Sequence, residues 1–179
     1  MPSWMIDNRN TKLISILQEQ LQGNPDLSLL LQDLSLSGFA ALYDQLKGCQ
    51  ARLLLATDEQ PLSKRLAGDV SEQSQQQDLR QKERAEQLLK WLQTHVSAKG
   101  IASSRLPNNL YHLKGQTKQA FVQGTSALTA AGLGVLYSDR LDMNMGSDDS
   151  AQALQMQQWF DQHWQDSSAA SIQSELIEA

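Results

Sequence analysis

The sequence predicts an α/β domain built on a mixed, mostly parallel sheet with helices on both faces. Two short, continuous apolar runs, residues 27–31 and 51–55, suit strands covered on both sides. Each follows a stretch of helical periodicity, and such alternation marks parallel strands joined by crossover helices. A hydrophobic fraction of 40% in 179 residues gives one ordinary domain enough material for a core.

The elements follow in order. Asp7 or Asn8 is placed to cap a first helix, whose Leu13, Ile14, Leu17 and Leu21 share a face before Gly23-Asn24-Pro25 ends it. The apolar run 27–31 then gives a strand, residues 39–47 a helix closed by Gly48, and residues 51–56 a second buried strand. Between Thr57 and Gln77, Pro61, Gly68 and many polar residues predict a mobile loop with Lys64-Arg65 as a small basic spot. A long helix over 76–98 carries Leu79, Ala85, Leu88, Leu89, Leu92 and Val96 on one side, and Gly100 stops it. Strands are expected at 101–106, Asn109–Lys114 and Gln119–Gly124, the last two forming a hairpin around Gly115-Gln116-Thr117. Residues 126–133 read as a small-residue turn or short helix, and 140–145 as a further strand. A closing helix over 148–166 is expected to bury Ala151, Leu154, Met156, Trp159, Phe160 and Trp164. Residues 1–166 thus make the domain. Residues 167–179 read as the start of a linker or of a further amphipathic helix, with Ile172, Leu176 and Ile177 on one side, which fits either an irregular natural end or a boundary inside a longer chain.

Composition excludes several classes. A single cysteine, Cys49, permits no internal disulfide and fits a reducing, cytoplasmic setting. Three histidines make a structural zinc site a poor expectation, and no metal or cofactor is required. No apolar run approaches the roughly 20 residues that span a bilayer. A net charge of −5 argues against binding nucleic acid by bulk charge and leaves room only for a local basic site.

The residues that invite chemistry lie late in the chain. His112 and Lys114 are two apart on a predicted strand and so share a face. Past the hairpin comes Gly124-Thr125-Ser126, a small polar turn whose backbone N–H groups suit a phosphate. Together they suggest a metal-free phosphodiester pocket, with His112 as nucleophile and with Lys114 and the turn stabilising the anionic transition state. His95 and His163 lie on predicted helices as packing or surface residues. Trp91, Trp159 and Trp164 sit at helical spacing beside apolar partners, where core packing accounts for them.

Tyr111-His112-Leu113-Lys114, followed by the segment from Ala120 through Gly124-Thr125-Ser126-Ala127-Leu128-Thr129 to Gly132-Leu133, resembles the phospholipase D superfamily motif, in which a His-x-Lys strand leads into a Gly-Ser-x-Asn turn. Ile6-Asp7-Asn8, the segment from Leu34 to Phe39 and the segment from Ala51 to Leu55 resemble the opening of the phospholipase D-like domain that precedes the motor in some bacterial Swi/Snf-type helicases, a group that includes defence proteins. That likeness implies a phospholipase D-like fold and nucleic-acid partners. It also implies a helicase motor in the same or a partner chain, since no Walker-type phosphate loop is present here. Two positions depart from the pattern: Gln119 stands where the family has an acid, and Ala127 where it has the asparagine. Because family members with one motif pair two copies, the likeness implies either a homodimer or a domain that no longer works as an enzyme. The leading expectation is an accessory domain that holds DNA or RNA phosphate, or a partner, through a degenerate pocket. The alternatives are an active metal-independent nuclease working as a dimer, and a structural interaction module with a vestigial site.

Overall fold

The computed structural model describes residues 3–57, 78–165 and 170–171. Its strands are β1 (Ser3–Ile6), β2 (Asp26–Leu31), β3 (Ala51–Thr57), β4 (Val96–Ala102), β5 (Asn109–Lys114), β6 (Gln119–Gly124), β7 (Asn144–Ser147) and β8 (Ala170–Ser171). They form one sheet in the order β1-β7-β6-β5-β2-β3-β4-β8. The helices are α1 (Leu13–Gln20), α2 (Leu36–Ala41), α3 (Tyr43–Leu46), α4 (Asp78–Thr94) and α5 (Ser150–Trp164).

Alternation along the strands sorts the core into two layers. Leu27, Leu29, Leu31, Leu53, Leu55, Leu113 and Val122 point to one face, where α1 to α4 cover them with Leu13, Leu17, Phe39, Leu46, Leu88, Trp91 and Leu92. Leu30, Leu54, Leu110 and Phe121 point to the other face, where α5 seals them with Ala153 and Phe160. Helices on both faces and a mixed sheet are therefore as the sequence predicts.

The balance of strand directions differs. Among the described strands, only β2–β3 and β3–β4 pair in parallel; β2–β5, β5–β6, β6–β7, β7–β1 and β4–β8 are antiparallel. The reason lies in connection length. Four residues join β5 to β6, between the paired Lys114 and Gln119, and a crossover to a parallel neighbour needs a dozen or more.

Several boundaries move as well. Val96 and Ala98 leave the long helix, which stops at Thr94, and become β4. Val96, Ala98 and Gly100 are buried there while Ser97 is exposed, a period of two that pairing with β3 selects over helical continuation. The strand expected over 101–106 therefore starts earlier, and Ser103–Arg105 is a 3-10 turn. The strand expected over 140–145 pairs only from Asn144 onward. Gly146 lets it approach closely: a Cβ there would lie 2.5 Å from the Phe121 carbonyl oxygen and 2.9 Å from the Trp4 ring. Neither Asp7 nor Asn8 is the N-cap of α1. Asp7 accepts from the N–H groups of Arg9, Asn10 and Thr11, while Asn8 Oδ1 reaches forward to Leu13 N at 2.8 Å. On α5, Ala153 and Phe160 form the buried line and Leu154 is exposed, so the inner face is rotated from the expected one. The expected mobile loop, past Thr57 at the end of β3, and the expected terminal helix, past Ser171, fall outside the described residues. No described helix is long and apolar enough to cross a membrane.

Candidate functional site

Ligands of open α/β sheets sit in the crevice outside the carboxyl ends of the parallel strands. Here β2 leaves the sheet into Gln32-Asp33, β5 enters beside it at Asn109, and β6 ends at Gly124 opposite Asn109. Asn109 ties the three together, accepting from Gln32 N at 2.7 Å and donating from Nδ2 to the Gln32 amide oxygen and to the Gly124 carbonyl. Gly124 has φ +154°, and a Cβ there would lie 2.3 Å from the Met143 carbonyl oxygen, so only glycine lets β6 turn this close to residue 143.

Beyond Gly124 the turn is locked by side chains. Asn144 Nδ2 donates to Ser126 Oγ and to the Ile6 carbonyl, and its Oδ1 accepts from Ser126 N at 3.1 Å. Asn8 Nδ2 lies within hydrogen-bond reach of Ser126 Oγ, the Gly132 carbonyl and Asp142 Oδ2. Thr125 Oγ1 donates to Asp142 Oδ1 at 2.9 Å and accepts from Met143 N. From below, the Tyr111 hydroxyl donates to the Ser126 carbonyl at 2.9 Å, and burial, with the Asp142 charge adding, pushes its pKa far above the ordinary range. The two hydroxyls of the turn are thus used by the protein itself.

This knot floors a trough of two adjoining cavities of about 250 and 420 Å³, whose shared wall includes Ser138, Arg140 and Asp142. Gln32, Asp33, Thr125 and Ala127 line the smaller; Asp7, Asn8, Arg9, Lys12 and Tyr137 line the larger. Arg9 and Arg140 are exposed and anchored to the backbone, Arg9 on the Ser138 carbonyl at 2.8 Å and Arg140 on the Thr125 carbonyl at 3.3 Å. Asp7 is held below its ordinary carboxylate pKa, chiefly by the N–H of Arg9, so it stays charged beside these cations. The arrangement offers fixed positive groups for an anion at the rim. No described histidine lines either cavity, and no described group of side chains could hold a metal ion.

The structure divides the residues that the sequence singles out. Gly124, Thr125 and Ser126 are at the crevice. His112 and Lys114 are not. They share a face, as expected, but it is the face under α5, and register puts His112 opposite Phe121, at the hairpin half of β5 and away from the end where Gly124 meets Asn109. Tyr111, the neighbour that does reach the turn, points the other way. His112 is 1% exposed, and its Nε2–H donates to the Ala153 carbonyl at 3.0 Å. Burial, the largest influence, holds its pKa below the ordinary value. Lys114 is exposed, and it lines with His112 a cavity of about 580 Å³ apart from the trough, whose wall also includes Ser28, Arg52, His95 and Asp161. The Arg52 guanidinium there is already paired with Asp161 at 2.6 Å. The expectation that one phosphate touches His112, Lys114, Thr125 and Ser126 is therefore not met: packed layers of the sheet separate the first pair from the second. Sequence reasoning also missed Arg9, Lys12, Tyr137 and Arg140. The available signal was the hairpin itself, because a turn at residues 115–118 pairs Gly124 with Asn109 and leaves His112 well inside the strand.

No protein-family model matches the chain, and no curated protein matches it by sequence. Its fold is that of solved phospholipase D-like structures. Nuc of Salmonella typhimurium, a phospholipase D family member, superposes with a TM-score of 0.55 at 6% identity, over 91% of this chain and 93% of that one. NucT of Helicobacter pylori gives 0.52 at 10% identity, over 95% and 98%. TrmBL2, an archaeal chromatin protein described as showing a novel mode of DNA binding, gives 0.51 at 12% identity over 96% of this chain. The chain spans about half the length of TrmBL2, 54%.

Proposed function

We propose that this chain is a phospholipase D-like accessory domain of a helicase-type nucleic-acid-processing protein, and that it holds nucleic-acid phosphate at the carboxyl-end trough without cleaving it. The observation that carries the reading is the placement of Arg9, Lys12 and Arg140 around one open cavity, with both arginines fixed by backbone carbonyls. Fixed guanidinium groups suit phosphate oxygens and lose little freedom on binding. At the trough no described histidine is placed to attack a phosphodiester. The histidine of the likeness, His112, is 1% exposed on another cavity with its Nε2–H spent on the Ala153 carbonyl, and Ala127 offers no donor at the turn. The DNA-binding neighbour and the two phospholipase D-like ones fit a role with polyanions. Helicase association rests on the likeness of three segments, two of which, ending at Asn8 and beginning at Leu34, flank the crevice. A motor in the same or a partner chain is the partner this reading implies.

Fluorescence anisotropy with labelled DNA and RNA oligonucleotides at low salt tests it, with a chelator present throughout. Intact oligonucleotide, bound with micromolar or weaker affinity and released by Arg140→Ala, is the expected result. Binding that survives Arg9→Ala and Arg140→Ala together refutes the site. Cleavage by a variant lacking the trough arginines refutes the absence of an enzyme.

A further inference from the structure

We propose that the trough takes a single strand, with one base stacked on Tyr137 and the flanking phosphate on Arg9, Lys12 and Arg140; this rests on the reading of the trough as a nucleic-acid site. Tyr137 is 78% exposed, an unusual state for a large aromatic side chain, and it lines the larger cavity rather than standing alone. One side of its ring is used: the Arg9 guanidinium lies 4.6 Å from the ring centroid. That guanidinium is itself pinned to the Ser138 carbonyl, so ring and cation hold each other in place before any ligand arrives. The exposure of the residue leaves the opposite side open. An open aromatic face backed by a fixed cation is a platform for a flat π-system, and Lys12 and Arg140 line the same cavity as phosphate partners.

Duplex DNA does not fit this arrangement, because its base faces are already covered by their neighbours and only its phosphates are available. A single strand offers both. Asp7 and Asp142 face the same cavity, and two carboxylates against three cations keep the local field weakly positive. Affinity must then come from the stack as well as from charge. Three phosphate-directed cations also limit the dependence on salt, to a slope of about −2 in log K against log salt for a single strand.

The experiment is anisotropy of the full chain with a labelled single-stranded oligonucleotide and its duplex, at several salt concentrations, for the wild type, Tyr137→Ala, Tyr137→Phe and Arg9→Ala. Single-strand affinity about tenfold above duplex affinity is expected, with Tyr137→Ala losing about tenfold on the single strand and little on the duplex, and Tyr137→Phe retaining the preference. Because Tyr137 is exposed, its variants should melt with the wild type, which separates lost stacking from lost fold. Equal affinity for both forms, or equal loss on both with Tyr137→Ala, overturns the stacking proposal while leaving the phosphate reading in place. Failure of both forms to bind at low salt overturns the phosphate reading and this one with it.

Discussion

Replacing His112 with alanine is expected to cost stability and to leave nucleic-acid binding intact. The imidazole is enclosed between β5 and α5, and its Nε2–H is spent on the Ala153 carbonyl. Losing that hydrogen bond costs about 1 kcal/mol. The emptied ring volume resembles a buried large-to-small change, worth about 2–4 kcal/mol more. The sum is a large share of the roughly 5–15 kcal/mol that holds a domain together. His112→Leu keeps most of the volume and loses the donor, so about 1 kcal/mol is expected. The two variants also differ from the wild type in their response to acid. The folded pKa of His112 is depressed, so the unfolded chain takes the proton first as pH falls. The contribution of this group is fully present above the unfolded pKa of about 6.5 and is lost as pH falls through the folded value. Leucine has nothing to titrate, so the stability gap between His112→Leu and the wild type should narrow toward acid. Urea unfolding of the three proteins across roughly pH 5 to 8 measures this. An unchanged midpoint for His112→Ala, or a gap that widens in acid, refutes the reasoning. So does a phosphodiesterase activity lost selectively in a variant that is as stable as the wild type.

Two further outcomes follow from the packing. Gly124→Ala should destabilise by about 3 kcal/mol or more, because the new Cβ meets the Met143 carbonyl oxygen at 2.3 Å and Asn144 Oδ1 at 2.5 Å; a wild-type melting temperature would show that the turn can open at little cost. Cys49 is buried and its thiol pKa is pushed up to about 11, by burial first and the Asp26 charge second. It should therefore resist a disulfide reagent near pH 8 until urea is added, and prompt labelling of the folded protein would contradict its placement.

What the sequence made legible is the part written in periodicity. The runs at β2 and β3 are apolar on both faces because both faces are covered, and a continuous run announces that directly. The β5–β6 hairpin and α5 were visible for similar reasons. Three things were not. The β1 strand has four residues at the sheet edge, too short for any alternation to stand out. The β4 strand follows a long helix without a break in apolar spacing, so Val96 fits either period until pairing with β3 decides. The trough was invisible because its residues come from the loop after β1, the Gly124 turn and residues 131–142, which are adjacent only once β7 has paired with both β1 and β6.

The His-x-Lys pair lies away from the trough for a physical reason. On a strand six residues long, the two ends lie about 17 Å apart, and a shared face says nothing about which end a side chain serves. At one end of β5, Asn109 is consumed in joining β2 to the Gly124 turn, and Tyr111 props the turn from beneath. Further along, His112 secures the first turn of α5, and Lys114 ends the strand exposed on a cavity away from the trough. Near the trough, the strand's own polar groups are therefore structural. The groups left over for a ligand sit outside the sheet, on loops that the Asn8–Ser126–Asn144–Asp142 knot holds rigid. The knot uses its own polar groups up, whereas Arg9, Lys12 and Arg140 are exposed and contribute little to the core. Stability and binding are thus carried by different residues. Truncating the cations should weaken nucleic acid without moving the melting transition, and disturbing the knot should move both together, because the cations keep their positions only while it holds.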